Sequence, residues 1–201
     1  IVFIAFYFLM LLLIFVCQKP FFMLYNGMVD KGTDWGDCLQ VLWHGASLDA
    51  TMSGYLTALP FLLVLISIWL KRMPLKKLLF PYYVIAALLI SIIFIVDMGL
   101  YPFWGFKLDA SIFLYLDSPE EALASVSKGF ILIRVILMVV LGIFFAWLML
   151  KVTPQSLKEV KNKVLGTLGM ILVGGFLFIA IRGGVTESTS NVGQVYFSNN
   201  Q

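Results

Sequence analysis

The chain has 201 residues, 61% hydrophobic and only 12% charged, with a mean hydropathy of +0.99 and a net charge of +3. Soluble domains carry about a quarter charged residues, so this composition cannot coat a water-facing surface, and most of the surface must face lipid. Two cysteines, Cys17 and Cys38, exclude a disulfide framework, and no nucleic-acid partner is expected.

Crossing the bilayer core takes about 20 mostly apolar residues, and only helices or closed barrels satisfy their backbone there. The apolar runs are too long and too unalternating for barrel strands. They predict an all-α integral membrane protein with five transmembrane helices. The first run extends from Ile1 to about Tyr25. Residues are expected before Ile1, since it is not Met. No small-residue cleavage site follows Ile1–Val16, where Gln18, Lys19 and Pro20 stand, so the run reads as a retained span rather than a signal peptide.

A loop is expected over about 26–46, with Asp30, Lys31, Asp34, Asp37 and the single histidine, His44. One histidine beside scattered aspartates is a poor metal set. Span two is expected over about 47–70, with Pro60 kinking its middle. Ser47 and Asp49 suit its N-terminus as caps. The competing reading makes Asp49, with Tyr55 about two turns on, a polar contact in a substrate site. Span three is expected over about 78–100, with Pro81 in its first turn, where a missing N–H costs nothing. Pro102 and Gly105 are expected to stop it.

Residues 97–128 form the longest interruption. LDASIFLYL is too short to span but apolar enough to lie in the interface, with Asp109 as its N-cap. DSPEEALASV offers Ser118 as N-cap, Pro119 at the first helical position and Glu121 completing a capping box. Short interfacial helices are therefore expected in the outer loop over about 100–128. Span four follows over about 129–150 and span five over about 164–181, closed by Arg182. Gly166, Gly169, Gly174 and Gly175 imply close packing of span five on a neighbour. The division expected is a five-span domain over 1–182, then a polar extracytoplasmic segment over 183–201 that begins a linker to a further domain.

Orientation follows from the basic loops. KRMPLKK and KVTPQSLKEVKNK hold eight of the 14 Lys and Arg residues but one of the 11 acids. Such loops stay cytoplasmic, placing the N-terminus in the cytoplasm and the C-terminus outside. Trp69 and Trp147 flank these loops, while Trp35, Trp43 and Trp104 lie toward the other face, as aromatic belts do.

Ionisable groups within spans are costly and mark function by default. Asp97 and Arg134 stand on consecutive spans near the outer side. One reading pairs them structurally. The other joins Arg134, Arg182 and Lys107 into an anion site for a lipid phosphate, which the guanidinium suits. A transporter would want polar or broken helices near the midplane and often internal repeats; none are apparent.

Three stretches, HGASLDATMSGYLTALP (44–60), GFKLDASIFLYLDSPEEALAS (105–125) and RGGVTESTSNVGQVYFSNNQ (182–201), carry a resemblance. Together with the five-span layout, the chain resembles the N-terminal membrane domain of lipoteichoic-acid-synthase-like proteins. These form the membrane-bound branch of the alkaline-phosphatase/sulfatase superfamily. The resemblance implies a bacterial cytoplasmic membrane and an extracytoplasmic catalytic domain in cis. That domain would use a threonine nucleophile and a divalent metal such as Mn²⁺ to move phosphoglycerol from a lipid donor to an envelope acceptor. No catalytic residue, metal ligand or cofactor is expected in this chain. Its expected partners are membrane lipids, contacted through Asp49, Tyr55, Asp97, Lys107, Asp109, Arg134 and Arg182, with the oligomeric state open. A lipid phosphoethanolamine transferase is the nearer alternative, and a stand-alone five-span scaffold the alternative of another class.

Overall fold

The computed structural model describes residues 1–28, 35–70, 73–105, 107, 127–157 and 160–183. Among them it is all-helical, with five helices long and apolar enough to cross a membrane. These are α1 (Val2–Tyr25), α2 (Trp35–Ser67), α3 (Leu75–Trp104), α4 (Lys128–Val152) and α5 (Lys163–Arg182). The expected interfacial helices, with Asp109, Ser118, Pro119 and Glu121, lie outside the described residues, as does the tail after 183.

Helices consecutive in the chain run antiparallel, so α1 and α3 lie parallel to each other. At one end Phe22 of α1 meets Tyr101 of α3, with ring centroids 5.0 Å apart, and Thr51 of α2 donates to the Ala180 carbonyl of α5 at 3.1 Å. At the other end Lys163 of α5 lies over Trp69, just after α2, at 5.5 Å, and Lys151 of α4 over Trp147 at 4.6 Å. The two are called below the Arg134 end and the Lys163 end. The most extensive packing is α3 on α4, α1 on α2, and α2 on α5.

The dry core occupies the Lys163 half. Ile4, Tyr7, Leu11 and Ile14 recur at helical spacing on α1 and face Leu75, Leu79, Tyr83 and Ala87 on α3, with Phe145 and Met149 of α4 and Met170 of α5 closing the cluster. Elsewhere large apolar side chains point outward on all five helices, among them Phe6, Leu62, Ile93, Ile143 and Phe176. Burying only a narrow stripe of each helix is the pattern that lipid, as the surrounding solvent, permits.

Helix ends follow local chemistry. Gly105 (φ 73°) and Gly183 (φ 86°) close α3 and α5 in the left-handed conformation, which glycine adopts without a Cβ clash. Ser127 caps α4 by accepting from Phe130 N–H at 3.3 Å, and Asn162 caps α5 by accepting from Leu165 N–H at 3.1 Å.

Three expectations need correction. The helix of span two begins at Trp35, not near Ser47, so 35–46 is helix rather than loop. That stretch mixes polar and apolar residues and contains no proline, and hydropathy marks where lipid is, not where a helix starts. At 33 residues α2 is about 50 Å long, well beyond a bilayer core of about 30 Å. Second, Pro81 is the seventh residue of α3, past the first turn, because the helix starts at Leu75. Third, Pro102 lies within α3, and Gly105 alone ends it.

Pro60 is inside α2, where its missing N–H leaves the Leu56 carbonyl without its helical donor. Tyr82 of α3 supplies the replacement, donating to that carbonyl at 2.8 Å. A side chain on one helix thus heals the defect in its neighbour.

Close approaches fall at glycines. A Cβ on Gly174 would lie 2.9 Å from the Phe61 ring of α2, on Gly166 2.9 Å from Val160, and on Gly169 3.1 Å from Ile1. Gly175 meets nothing within 4 Å. The expected packing of span five on a neighbour therefore holds for Gly169 and Gly174, whereas Gly166 is close to Val160 of the segment that leads into α5 itself. Gly54, 2.7 Å from Ile181, and Gly142, 2.9 Å from Leu88, make equally close crossings elsewhere in the bundle.

Candidate functional site

The charged groups of the spans gather at the Arg134 end. Of the two roles the sequence offers Asp49, helix cap or site residue, the helix start at Trp35 removes the first. It stands about four turns inside α2, 8% exposed, and its carboxylate accepts from Lys19 Nζ of α1 at 2.5 Å. Two ions within a membrane helix pair are tolerable when each supplies the other's missing solvation. Gly45, one turn toward the N-terminus of α2, makes the room: a Cβ there would strike the end of the Lys19 side chain, with Cε only 2.7 Å away.

Below Asp49 runs a buried polar stripe at four-residue spacing. Ser53 donates to the Asp49 carbonyl at 2.7 Å and Thr57 to the Ser53 carbonyl at 2.6 Å. These hydroxyls are satisfied by their own helix, so they add polarity without free donors. The membrane interior is thus less featureless than the sequence suggested.

The second part of the site is aromatic. Phe22 and Tyr25 are one turn apart on α1, and each ring carries a cation. Lys107 Nζ lies 4.6 Å from the Phe22 centroid, and Arg134 Cζ lies 4.8 Å from that of Tyr25. Arg134 also covers Phe130 of its own helix at 4.7 Å and donates from Nη2 to the Tyr25 hydroxyl. Close to it, a Cβ on Gly99 of α3 would lie 3.7 Å from Arg134 Nε, an ordinary contact, so α3 passes beside the guanidinium. Lys107 is in turn within electrostatic reach of Asp49. Lys19, Asp49, Lys107 and Arg134 thus form one neighbourhood around the C-terminal turns of α1.

The other residues singled out stand apart. Arg134, considered as the partner of Asp97, donates to Tyr25 of α1; Asp97 is half-buried on α3, two residues before Gly99. Tyr55 is 58% exposed on α2, and Arg182 ends α5 exposed, sharing no hydrogen bond or ring contact with Lys107 or Arg134. Asp109 lies outside the described residues. Lys19 is the residue that sequence reasoning missed.

His44 donates from Nδ1 to the Gln40 carbonyl one turn back, at 2.8 Å. Among the described residues no group of three or more His, Cys, Asp and Glu side chains converges on a point that could hold a metal ion, and both cysteines are free. What this cluster offers is two cations held on aromatic faces near a buried ion pair, with guanidinium and ammonium donors suited to oxyanions.

No family model, no curated protein and no solved structure matches the chain.

Proposed function

We propose that the chain is the membrane domain of a lipoteichoic-acid-synthase-like transferase in a bacterial cytoplasmic membrane. It anchors an extracytoplasmic catalytic domain and seats the headgroup of the lipid donor. The orientation is N-terminus inside and C-terminus outside, which puts the Arg134 end at the outer leaflet. One observation carries the reading: Lys107 and Arg134 lie on the rings of Phe22 and Tyr25, one turn apart on α1. A phosphodiester at the interface would accept from the guanidinium fork and the ammonium, while the rings hold both cations at headgroup depth. Lys19 is committed to Asp49 and sets the geometry rather than binding. Tethering the catalytic domain beside its lipid raises the effective concentration without new contacts. The threonine and divalent metal implied by the resemblance belong to that domain.

The test uses the protein as encoded, with whatever follows Gln201. Phosphatidylglycerol labelled in its headgroup is supplied in vesicles and diacylglycerol formation is followed. Production of diacylglycerol, cut severalfold by R134A with K107A, is the expected result. Turnover of phosphatidylethanolamine instead would favour the phosphoethanolamine transferase. A stop codon after Gln201, with no turnover of either lipid, would leave a stand-alone scaffold. Orientation is checked on whole cells with a membrane-impermeant maleimide. In a C17S background Cys38 should label from outside, whereas Cys introduced at Gln155 in a C17S/C38S chain should label only after permeabilisation.

A further inference from the structure

At the Lys163 end a groove of about 750 Å³ opens between α3, α4 and the segment after α4. Its floor and walls are Met73, Pro74, Phe80 and Leu150, and its rim carries Lys76, Lys77, Gln155 and Ser156. The volume lies within the range of small-molecule sites, about 300–1,000 Å³. The arrangement is graded by depth. Lys76 and Lys77 occupy the first turn of α3, at the end of the span, and Phe80 follows about one turn deeper into the apolar segment. Leu150 faces it from the last turns of α4. Among the described residues no carboxylate lines the groove. Among the described residues neither lysine is bound in an ion pair; the pair shown there is Lys19–Asp49, at the opposite end of the bundle.

We infer that this groove is a binding site for one anionic glycerophospholipid of the leaflet at the Lys163 end. Lys76 and Lys77 take the phosphate, Gln155 and Ser156 supply neutral hydrogen-bonding groups to the polar headgroup, and the upper acyl chain lies on Phe80 and Leu150. Charge and depth decide the occupant together. A soluble anion would use the rim and leave the apolar floor wet, while a zwitterionic lipid would fill the floor without net charge for two lysines. Basic pockets between membrane helices take anionic headgroups on this principle. The site is separate from the Arg134 cluster and does not depend on the function proposed for it.

The experiment is native mass spectrometry of the full chain, released from micelles doped with phosphatidylglycerol or phosphatidylcholine. Retention of one phosphatidylglycerol that survives R134Q/K107Q, beyond any held at the Arg134 end, and of little phosphatidylcholine is expected. Each lysine near an anionic headgroup contributes about fivefold to affinity, so K76Q/K77Q should weaken retention about 25-fold. The equally basic control K161Q/K163Q, outside the groove, should change it less than twofold. F80A, at a side chain already exposed to lipid, should weaken retention severalfold with both lysines intact. Size-exclusion elution is compared for every variant, and F80A gives a second reading where the lysine double variant elutes aberrantly. Equal losses in the two double variants would reduce the groove to a diffuse basic surface and overturn the site. Equal retention of phosphatidylcholine would overturn charge recognition. Displacement of the lipid by inorganic phosphate would reassign the rim to a free anion.

Discussion

Replacing Lys19 by Met removes the cation from a pair whose side chains are 15% and 11% exposed. At 2.5 Å and an effective dielectric near 20, the gross attraction is about 6–7 kcal/mol. Desolvation of the two ions offsets most of that, so the pair contributes little net stability, but breaking it strands a charge. K19M leaves the Asp49 carboxylate buried beside Ser53, and D49L leaves the ammonium against Gly45. Each should lose about 3–5 kcal/mol. The double variant K19M/D49L replaces both ions with apolar groups of similar size and should return to within about 1–2 kcal/mol of the parent, or exceed it. Unfolding by SDS from mixed micelles, followed by circular dichroism, gives the three free energies, and the cycle isolates a coupling of about 3 kcal/mol or more. Lys107, within reach of Asp49, can absorb part of the loss in K19M, so adding K107M should deepen it. Two single losses below about 1 kcal/mol that simply add would refute the reasoning, because they describe a solvated, screened pair.

Other expectations use the same unfolding assay. Y82F should cost about 1–3 kcal/mol by orphaning the Leu56 carbonyl, and P60A, which restores a helical donor to it, should recover much of that in the double variant; additive effects would show that Tyr82 does not serve the proline defect. The Tyr7 hydroxyl is buried with no partner among the described residues, so Y7F should be neutral or stabilising, and a loss above about 1 kcal/mol would reveal a partner. Adjacent glycines should behave oppositely. G174A must push the Phe61 ring from 2.9 Å and should lose about 1 kcal/mol or more, whereas G175A meets nothing and should gain up to about 1 kcal/mol in helix propensity.

The five helices were legible because each contains a lipid-length apolar run, and lipid selects on length and polarity alone. Their ends were not, and one error produced another. Placing the start of span two near Ser47 made Asp49 look like a cap; with α2 starting at Trp35 it is an interior acid that needs a cation. The cation could have been found. Lys19 stands 18 residues after Ile1 and Asp49 18 residues before Ser67, so antiparallel helices bring them to one depth, about 27 Å from the other end. What sequence could not supply was lateral order. That α1 abuts α4 as well as α2, which gives Arg134 the Tyr25 hydroxyl, is decided by packing between residues 109 apart in the chain.

The division of the bundle separates what Lys19 does from what Lys107 and Arg134 do. The dry cluster of Tyr7, Leu11, Leu79, Tyr83 and Met149 fixes the helices at the Lys163 half. At the other end the Lys19–Asp49 pair is buried, while Lys107 and Arg134 are held by ring faces and one hydroxyl. A cation on an aromatic ring at an exposed site contributes about 0.5–1 kcal/mol, so R134Q and K107Q should each lower stability by no more than about 1–2 kcal/mol. The same contacts are weak enough for a phosphate to compete for the cations without disturbing the core. R134Q and K107Q should therefore reduce retention of phosphatidylglycerol at this end severalfold while unfolding nearly as the parent does, unlike K19M or D49L alone, which lose stability. If R134Q instead unfolds as readily as K19M alone, Arg134 is a structural strut between α4 and α1, and the headgroup role passes from it.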